Sequence, residues 1–315
     1  MECVYSPGTL GGIGYEILFK ALCEKKLEAK KITVFGSQEE WVKTTGLYKD
    51  VPKPDVNLLD RTEPLPVQFE STRACGYFLA ALNYVSEDPQ NRALVTGPMA
   101  KRDLPQNKAT QQTWGHTEVL GWFFETHTTM MFCSEKIFLI PLTRHIPLSE
   151  VPRVLNADLI DLTLKDLAKS DTFFGKPVER IKIAFCGLNP HAGEAGLIGT
   201  EEMDWMAPYA NALRDRDYAI TGPLSADTLM TPNNLGKFDI ILSCYHDQLL
   251  PAFKALFGNH SSQCTLGIPI VRTSVDHGTG EDIYLQNKAC PGSLVYSFKL
   301  ASQLLAHKGS YENRP

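Results

Sequence analysis

No apolar run in this 315-residue chain approaches the roughly 18 residues that a membrane-crossing helix needs, and residues 1–14 lack the basic and apolar regions of a signal peptide. A soluble, cytoplasmic chain with no membrane partner is expected. Positive charge is scarce too. The 31 Lys and Arg against 36 Asp and Glu leave a net charge of −5, which gives no basic field for nucleic acid. An anionic ligand then needs a local cluster of cations. The absence of low-complexity tracts and internal repeats excludes the disordered and solenoid classes. The eight cysteines (Cys3, Cys23, Cys75, Cys133, Cys186, Cys244, Cys264 and Cys290) form no C-x-x-C pair, and several sit inside apolar runs, as buried reduced thiols do.

What is present is length and alternation. The chain exceeds what one compact core usually holds, so two domains, or one large α/β unit with a cleft, are expected. GGIGYEILFKALCEKKLEAKK (11–31) places Ile17, Leu18, Ala21 and Leu22 at helical spacing and ends in lysines, as a helix C-terminus favours. The strand KITVF and a helix capped by Ser37 follow. Further apolar, β-branched runs lie at 93–96, 136–142, 180–187, 238–244 and 268–273, with helical periodicity over 118–125, 158–169 and 201–214. Such alternation implies a mainly parallel sheet with helices on both faces.

In open α/β sheets ligands bind at the carboxyl edges of strands. Here those edges carry chemistry: Lys101 follows the first run, His145, His191 and His246 follow the next three, and Arg272 closes the last. A single His more often satisfies a core than binds a ligand. Three at strand ends suit Zn²⁺, Mn²⁺, Co²⁺ or Ni²⁺, because three protein ligands leave positions open for substrate and water. Glu194, three residues after His191, and Asp247, beside His246, are placed to orient each ring through its other nitrogen. Lys254, Arg272 and Lys101 form a candidate anion clamp, with one planar fork and two point charges.

The segments VTGPMAK (95–101), GHTE (115–118), HIPL (145–148), NPHAGEAGLIGTEE (189–202), GPLSADT (222–228), YHDQLLPAFK (245–254) and TLGIPIVRTSVDHGTG (265–280) follow one another in a telling order. In order and spacing they resemble the 4-hydroxythreonine-4-phosphate dehydrogenase family of pyridoxal phosphate biosynthesis, from about Gly12 to Ala289. The resemblance implies the fold of isocitrate and isopropylmalate dehydrogenases: two α/β/α domains with mainly parallel sheets and a cleft between them. One domain is expected from residues 1–112 plus 273–315, the other from 113–272.

The resemblance also implies one divalent metal per chain (Zn, Mg, Mn or Co) on His145, His191 and His246, and NAD or NADP as cofactor. Gly12, Gly14, His277, Gly278 and Asp282 fall on the cofactor side. His116, Thr117, Lys254, Gln263 and Arg272 fall on the substrate, and Lys101, Asp227 and Asp247 are the catalytic candidates. A small phosphorylated hydroxy acid would be oxidised and decarboxylated by a homodimer with its active sites at the interface. Two other readings remain at this stage: a paralogue acting on threonate or erythronate phosphate, and a metabolite-binding protein whose nucleotide site has decayed.

The chain departs from the family in three places. Thr9 stands where the family has Asp and Tyr15 where it has a second Pro, so the first strand is expected to be short or absent. G-x-G-x-x-G is incomplete because Ile17 stands at the third Gly, and the loop reads equally as a tight turn or as amides offered to an anion. Gln263 replaces a substrate-binding Asn. Finally, Tyr284, Leu285 and Gln286 replace small residues, which predicts a crowded nucleotide site.

Overall fold

The computed structural model describes residues 1–27, 29–64, 69–70, 72–107, 115–170 and 174–311. They divide into two compact units, Met1–Thr126 with Asn259–Pro315, and His127–Gly258.

The first unit runs β1 (Glu2–Ser6), α1 (Gly14–Cys23), β2 (Ile32–Phe35), α2 (Gln38–Gly46), β3 (Asn57–Leu59), β4 (Phe69–Glu70), α3 (Arg73–Ser86), β5 (Arg92–Thr96), β6 (Gln106–Asn107) and α4 (His116–Phe123). The second runs β7 (Thr129–Cys133), β8 (Phe138–Thr143), α5 (Val151–Val154), α6 (Ala157–Lys169), β9 (Ile183–Cys186), α7 (Ala207–Arg214), β10 (Ile220–Leu224), α8 (Ala226–Leu229), β11 (Ile240–Tyr245) and α9 (His246–Phe257). The chain then returns to the first unit with β12 (Ser262–Leu266), β13 (Val271–Val275) and α10 (Gly292–Tyr311).

In the first unit the strand order is β12-β13-β5-β1-β2-β3, parallel except for the β12–β13 pair. The period of two along each strand divides its core. Cys3, Tyr5, Ala93 and Val95 face α1 and α10 through Ile17, Leu18, Leu294 and Phe298. Val4 and Leu94 face α3 and α4 through Phe78, Leu82, Val119 and Leu120. In the second unit the order is β10-β9-β11-β8-β7, parallel except for β7 against β8. Ser37 caps α2 as expected, its hydroxyl accepting from the Glu40 N–H. The thiols are free and buried, except half-buried Cys23 and exposed Cys290.

Two expectations are corrected. The first strand is neither short nor absent: β1 is wholly buried and lies in register between β2 and β5, Cys3 opposite both Ile32 and Ala93. The domain boundary expected after Arg272 falls instead after Gly258, because β12 hydrogen-bonds to β13 and so joins the first unit's sheet. The boundary expected after residue 112 lies outside the described residues, and α4, expected beyond it, belongs to the first unit.

Candidate active site

Adjacency of β9, β11 and β8 in one parallel sheet sends the loops that leave them to a common edge. His145 lies two residues past β8, His246 opens α9 directly at the end of β11, and His191 sits in the loop after β9. The His145 and His246 rings are 5.5 Å apart between centroids. His246 lies edge-on to Phe132 at 6.2 Å, and the Lys254 ammonium sits 5.9 Å from the same ring. The expected orienting carboxylates are in place: His246 Nδ1 is 2.6 Å from Asp247 and His191 Nδ1 is 2.8 Å from Glu194. Such pairing turns Nε2 toward a metal and raises its basicity. This donor chemistry suits a divalent ion of borderline softness. Among the described residues, however, no three such groups converge within one chain, and His191 does not join the other two.

His191 instead lines a cavity of about 480 Å³ with Asn189, Ser225, Asp227, Tyr245 and Gln248. Asp227 accepts from the Ser225 hydroxyl at 2.6 Å. The backbone here is unusual: His191, Ala192, Glu194 and Ala195 all have φ between 46° and 54°, with Gly193 among them at 80°. L-residues in this left-handed region cost about 1–2 kcal/mol each. Buried Glu202 holds the loop in this shape, accepting from the Asn189 N–H at 2.7 Å and its side-chain amide at 2.9 Å.

The first unit carries a buried polar cluster on the α3/α4 face of its sheet. Gln263 pairs with Ser274, and Ser274 with Thr96, so all three point to one face, which Thr265 and Arg272, each two residues along its strand, share. Arg272 is 2% exposed. Its Nη1 donates to Gln263 Oε1 and, at 2.9 Å, to Thr265 Oγ1, while Nη2 donates to Thr96 Oγ1 at 2.7 Å. Its Nε is shut from solvent with no partner among the described residues, and burial pushes the guanidinium pKa down to about 10. Thr96, Thr265 and Ser274 were not singled out from the sequence. Their signal was polar residues two apart on strands with no solvent face.

His116, at the start of α4, is half-buried, with its ring edge-on to Phe78 at 5.0 Å and Nε2 buried without a partner among the described residues. Thr117 beside it is buried. Burial first, then the Arg272 charge, pushes the His116 pKa well below its ordinary 6.5. Above pH 6.5 neither folded nor unfolded chain protonates this ring; below it the unfolded chain takes a proton that the native state refuses. Stability should therefore fall by about 1.4 kcal/mol per pH unit from this side chain alone. Urea melts on either side of pH 6.5 should show a shallower pH dependence for His116→Gln than for the parent. Equal slopes would refute the assignment.

The Gly-rich start is a packed turn. A Cβ on Gly14 would lie 1.8 Å from the Pro7 carbonyl oxygen, and one on Gly12 would lie 2.9 Å from that of Thr279. The Gly11 N–H donates to Glu40 Oε2 at 3.4 Å, so a carboxylate occupies the place where an anion could have docked. Tyr284 donates to the same oxygen at 2.7 Å, and Tyr48 donates to Asn287 at 2.8 Å. The bulky segment is thus tied to α2 and its C-terminal turn, with Leu285 and Asn287 in the left-handed region. Gly278 has open space about it, His277 Nδ1 lies 2.9 Å from the Gly278 carbonyl, and Asp282 sits on a short turn. Lys101 stands exposed on another turn, Lys101–Asp103, beyond the carboxyl end of β5.

Two units, each built on a mainly parallel sheet, define an α/β fold class that solved dehydrogenases share. A solved β-decarboxylating dehydrogenase from Thermococcus kodakarensis shares the fold, with a TM-score of 0.50 and 11% identity over 99% of this chain and 88% of that one. Within that class, the family described as pyridoxal phosphate biosynthetic protein PdxA matches residues 20–301, and the chain belongs to it. The solved 4-hydroxythreonine-4-phosphate dehydrogenase from Klebsiella pneumoniae is similar at a TM-score of 0.77 and 29% identity, covering 97% of this chain and 99% of that one. Relatives of the same name are 41% identical in Aromatoleum aromaticum, over 74% of this chain and 72% of that protein, and 33% identical in Pseudoalteromonas translucida, over 98% of each. Among the described residues, no helix is long and apolar enough to cross a membrane.

Proposed function

We propose that this chain oxidises the hydroxyl of 4-hydroxythreonine 4-phosphate and releases its carboxyl group as CO₂, with NAD or NADP as hydride acceptor. The observation that carries this reading, beyond family membership, is the pair of histidines whose Nδ1 atoms are both held by carboxylates, His191 by Glu194 and His246 by Asp247. A divalent ion held by His145, His191 and His246 would supply Lewis acidity to the substrate hydroxyl and to the ketone formed from it. A nicotinamide cofactor, with His277, Gly278 and Asp282 on its side, would supply the hydride acceptor.

The protein's own groups do the rest. Arg272, Lys254, His116 and Thr117 hold the phosphate end and fix the orientation of the carbon that reacts. Asp247 holds the His246 ring at its Nδ1, and Lys101 and Asp227 are the groups for proton transfer. The working form is a cytoplasmic homodimer in which His145 and His246 of one chain meet His191 of the other.

A substrate panel with NAD and NADP, read by nicotinamide absorbance, tests the reaction. Fastest turnover is expected with 4-hydroxythreonine 4-phosphate. Faster turnover of threonate or erythronate 4-phosphate would make the chain a paralogue with another substrate. Ligand binding without cofactor reduction would remove it from catalysis altogether.

The segment tied to Glu40 gives a second expected result. Replacing Tyr284→Ala and Leu285→Gly releases the carboxylate over Gly11 and relieves a left-handed Leu. The cofactor KM should fall roughly tenfold, the equivalent of about 1.4 kcal/mol. An unchanged or higher KM would identify these residues as native cofactor contacts.

A further inference from the structure

Gln263 has an orientation that its neighbour dictates. A guanidinium has only donors, so the Gln263 atom facing Arg272 Nη1 must be the amide oxygen. The amide nitrogen is then spent on the adjacent Cys264 carbonyl, at 2.8 Å. Gln263 is buried, and both ends of its amide are engaged by the protein itself. One of its two amide N–H groups is taken by that carbonyl, and the other remains.

The guanidinium of Arg272 carries five N–H donors. Gln263 and Thr265 take both of those on Nη1 and Thr96 takes one on Nη2, all three being neutral acceptors. The Nε–H and one Nη2–H remain, and among the described residues the buried Nε has no partner. A buried cation whose hydrogen-bond partners are all neutral, with its Nε unsatisfied, is arranged to receive an anionic group.

We infer that Gln263 is a positioning residue for Arg272: with Thr265 and Thr96 it fixes the guanidinium so that its Nε faces an anionic group. The inference rests on reading this cluster as the phosphate site. An Asn at this position is shorter by one methylene, so the brace as proposed depends on the length of Gln. Bracing helps binding because a side chain already fixed has no ordering cost left when the ligand arrives.

The test is a double-mutant cycle. It is read by inhibition with inorganic phosphate and by kcat/KM for phosphorylated and dephosphorylated substrate. Gln263→Leu should weaken phosphate roughly tenfold, the scale of one immobilised side chain. The loss in kcat/KM should be much larger for the phosphorylated than for the dephosphorylated substrate, a split that a general structural defect would not produce. Arg272→Met should weaken phosphate further, and the double variant should match Arg272→Met alone, because Gln263 acts only through the arginine. Gln263→Asn should behave like Gln263→Leu, and it carries the test if the Leu variant fails to fold.

A double variant weaker than Arg272→Met by the full Gln263→Leu factor would overturn the inference, as would a Gln263→Asn protein that binds phosphate like the parent. Unchanged phosphate affinity in Arg272→Met is a different failure, since it would remove the phosphate site itself.

Discussion

A His191→Ala protein, stripped by chelator and titrated with metal, is expected to bind a divalent ion more weakly by more than the roughly 10–100-fold typical of changes behind the ligands, with turnover falling in parallel. Full activity after stripping would end the metal assignment. Geometry sharpens the expectation for mixed dimers. The His145 and His246 rings are 5.5 Å apart in one chain, and His191 does not join them. Inactive His191→Ala chains co-refolded with His145→Ala or His246→Ala chains should therefore recover activity. In each mixed dimer both defects fall in one site and leave the other intact, as two-fold symmetry requires. With about half the dimers mixed, recovery should approach about a quarter of the parent per chain. His145→Ala with His246→Ala should recover nothing. Recovery from that pair would place those two ligands on different chains, and silence from all three would put each metal site within one chain.

The second large effect is expected at Arg272. Replacing it with Met should cost on the order of 2–4 kcal/mol in transition-state binding of the phosphorylated substrate, because a charged donor is lost from a site closed to water. The dephosphorylated substrate should lose far less, and equal losses would count against a phosphate contact. The guanidinium pKa, pushed down to about 10 by burial, still leaves the group charged at neutral pH. The loss should accordingly hold steady across neutral pH.

Several elements were legible because their strands end in chemistry. β8, β9 and β11 are apolar runs that stop just before His145, His191 and His246, so pattern and function pointed to the same boundary. The carboxylates beside His191 and His246 were legible for a similar reason, since a spacing of one or three residues lets the chain itself make the bond. β1 was hidden because Glu2 and Ser6 bound its apolar run, so that it declares itself only through the partners on either side. β10 was hidden by its Gly-Pro pair, which reads as a turn, and by a mostly half-exposed run.

β12 is the instructive miss. Ser262, Gln263 and Thr265 gave no hydrophobic alternation, yet the strand is wholly buried. Its polar residues form part of the floor beneath a buried arginine, and the demands of that charge overrode the pattern from which strands are read. Single-chain spacing also could not reveal that Glu40 would take the Gly11 amide, since only the packing of α2 brings them together.

The left-handed turn at His191 has a consequence for any directed evolution of this enzyme toward heat tolerance. Ala192 and Ala195 sit where glycine is at ease, at φ near 51° and 54°, so exchanging either for glycine removes a steric cost of about 1–2 kcal/mol. A selection that scores survival alone would therefore collect glycines in this stretch. The survivors would carry His191 on a looser hinge, free to sample angles that the alanines now forbid. Hardier variants from such a screen should be slower catalysts, and the alanines record a choice of aim over endurance.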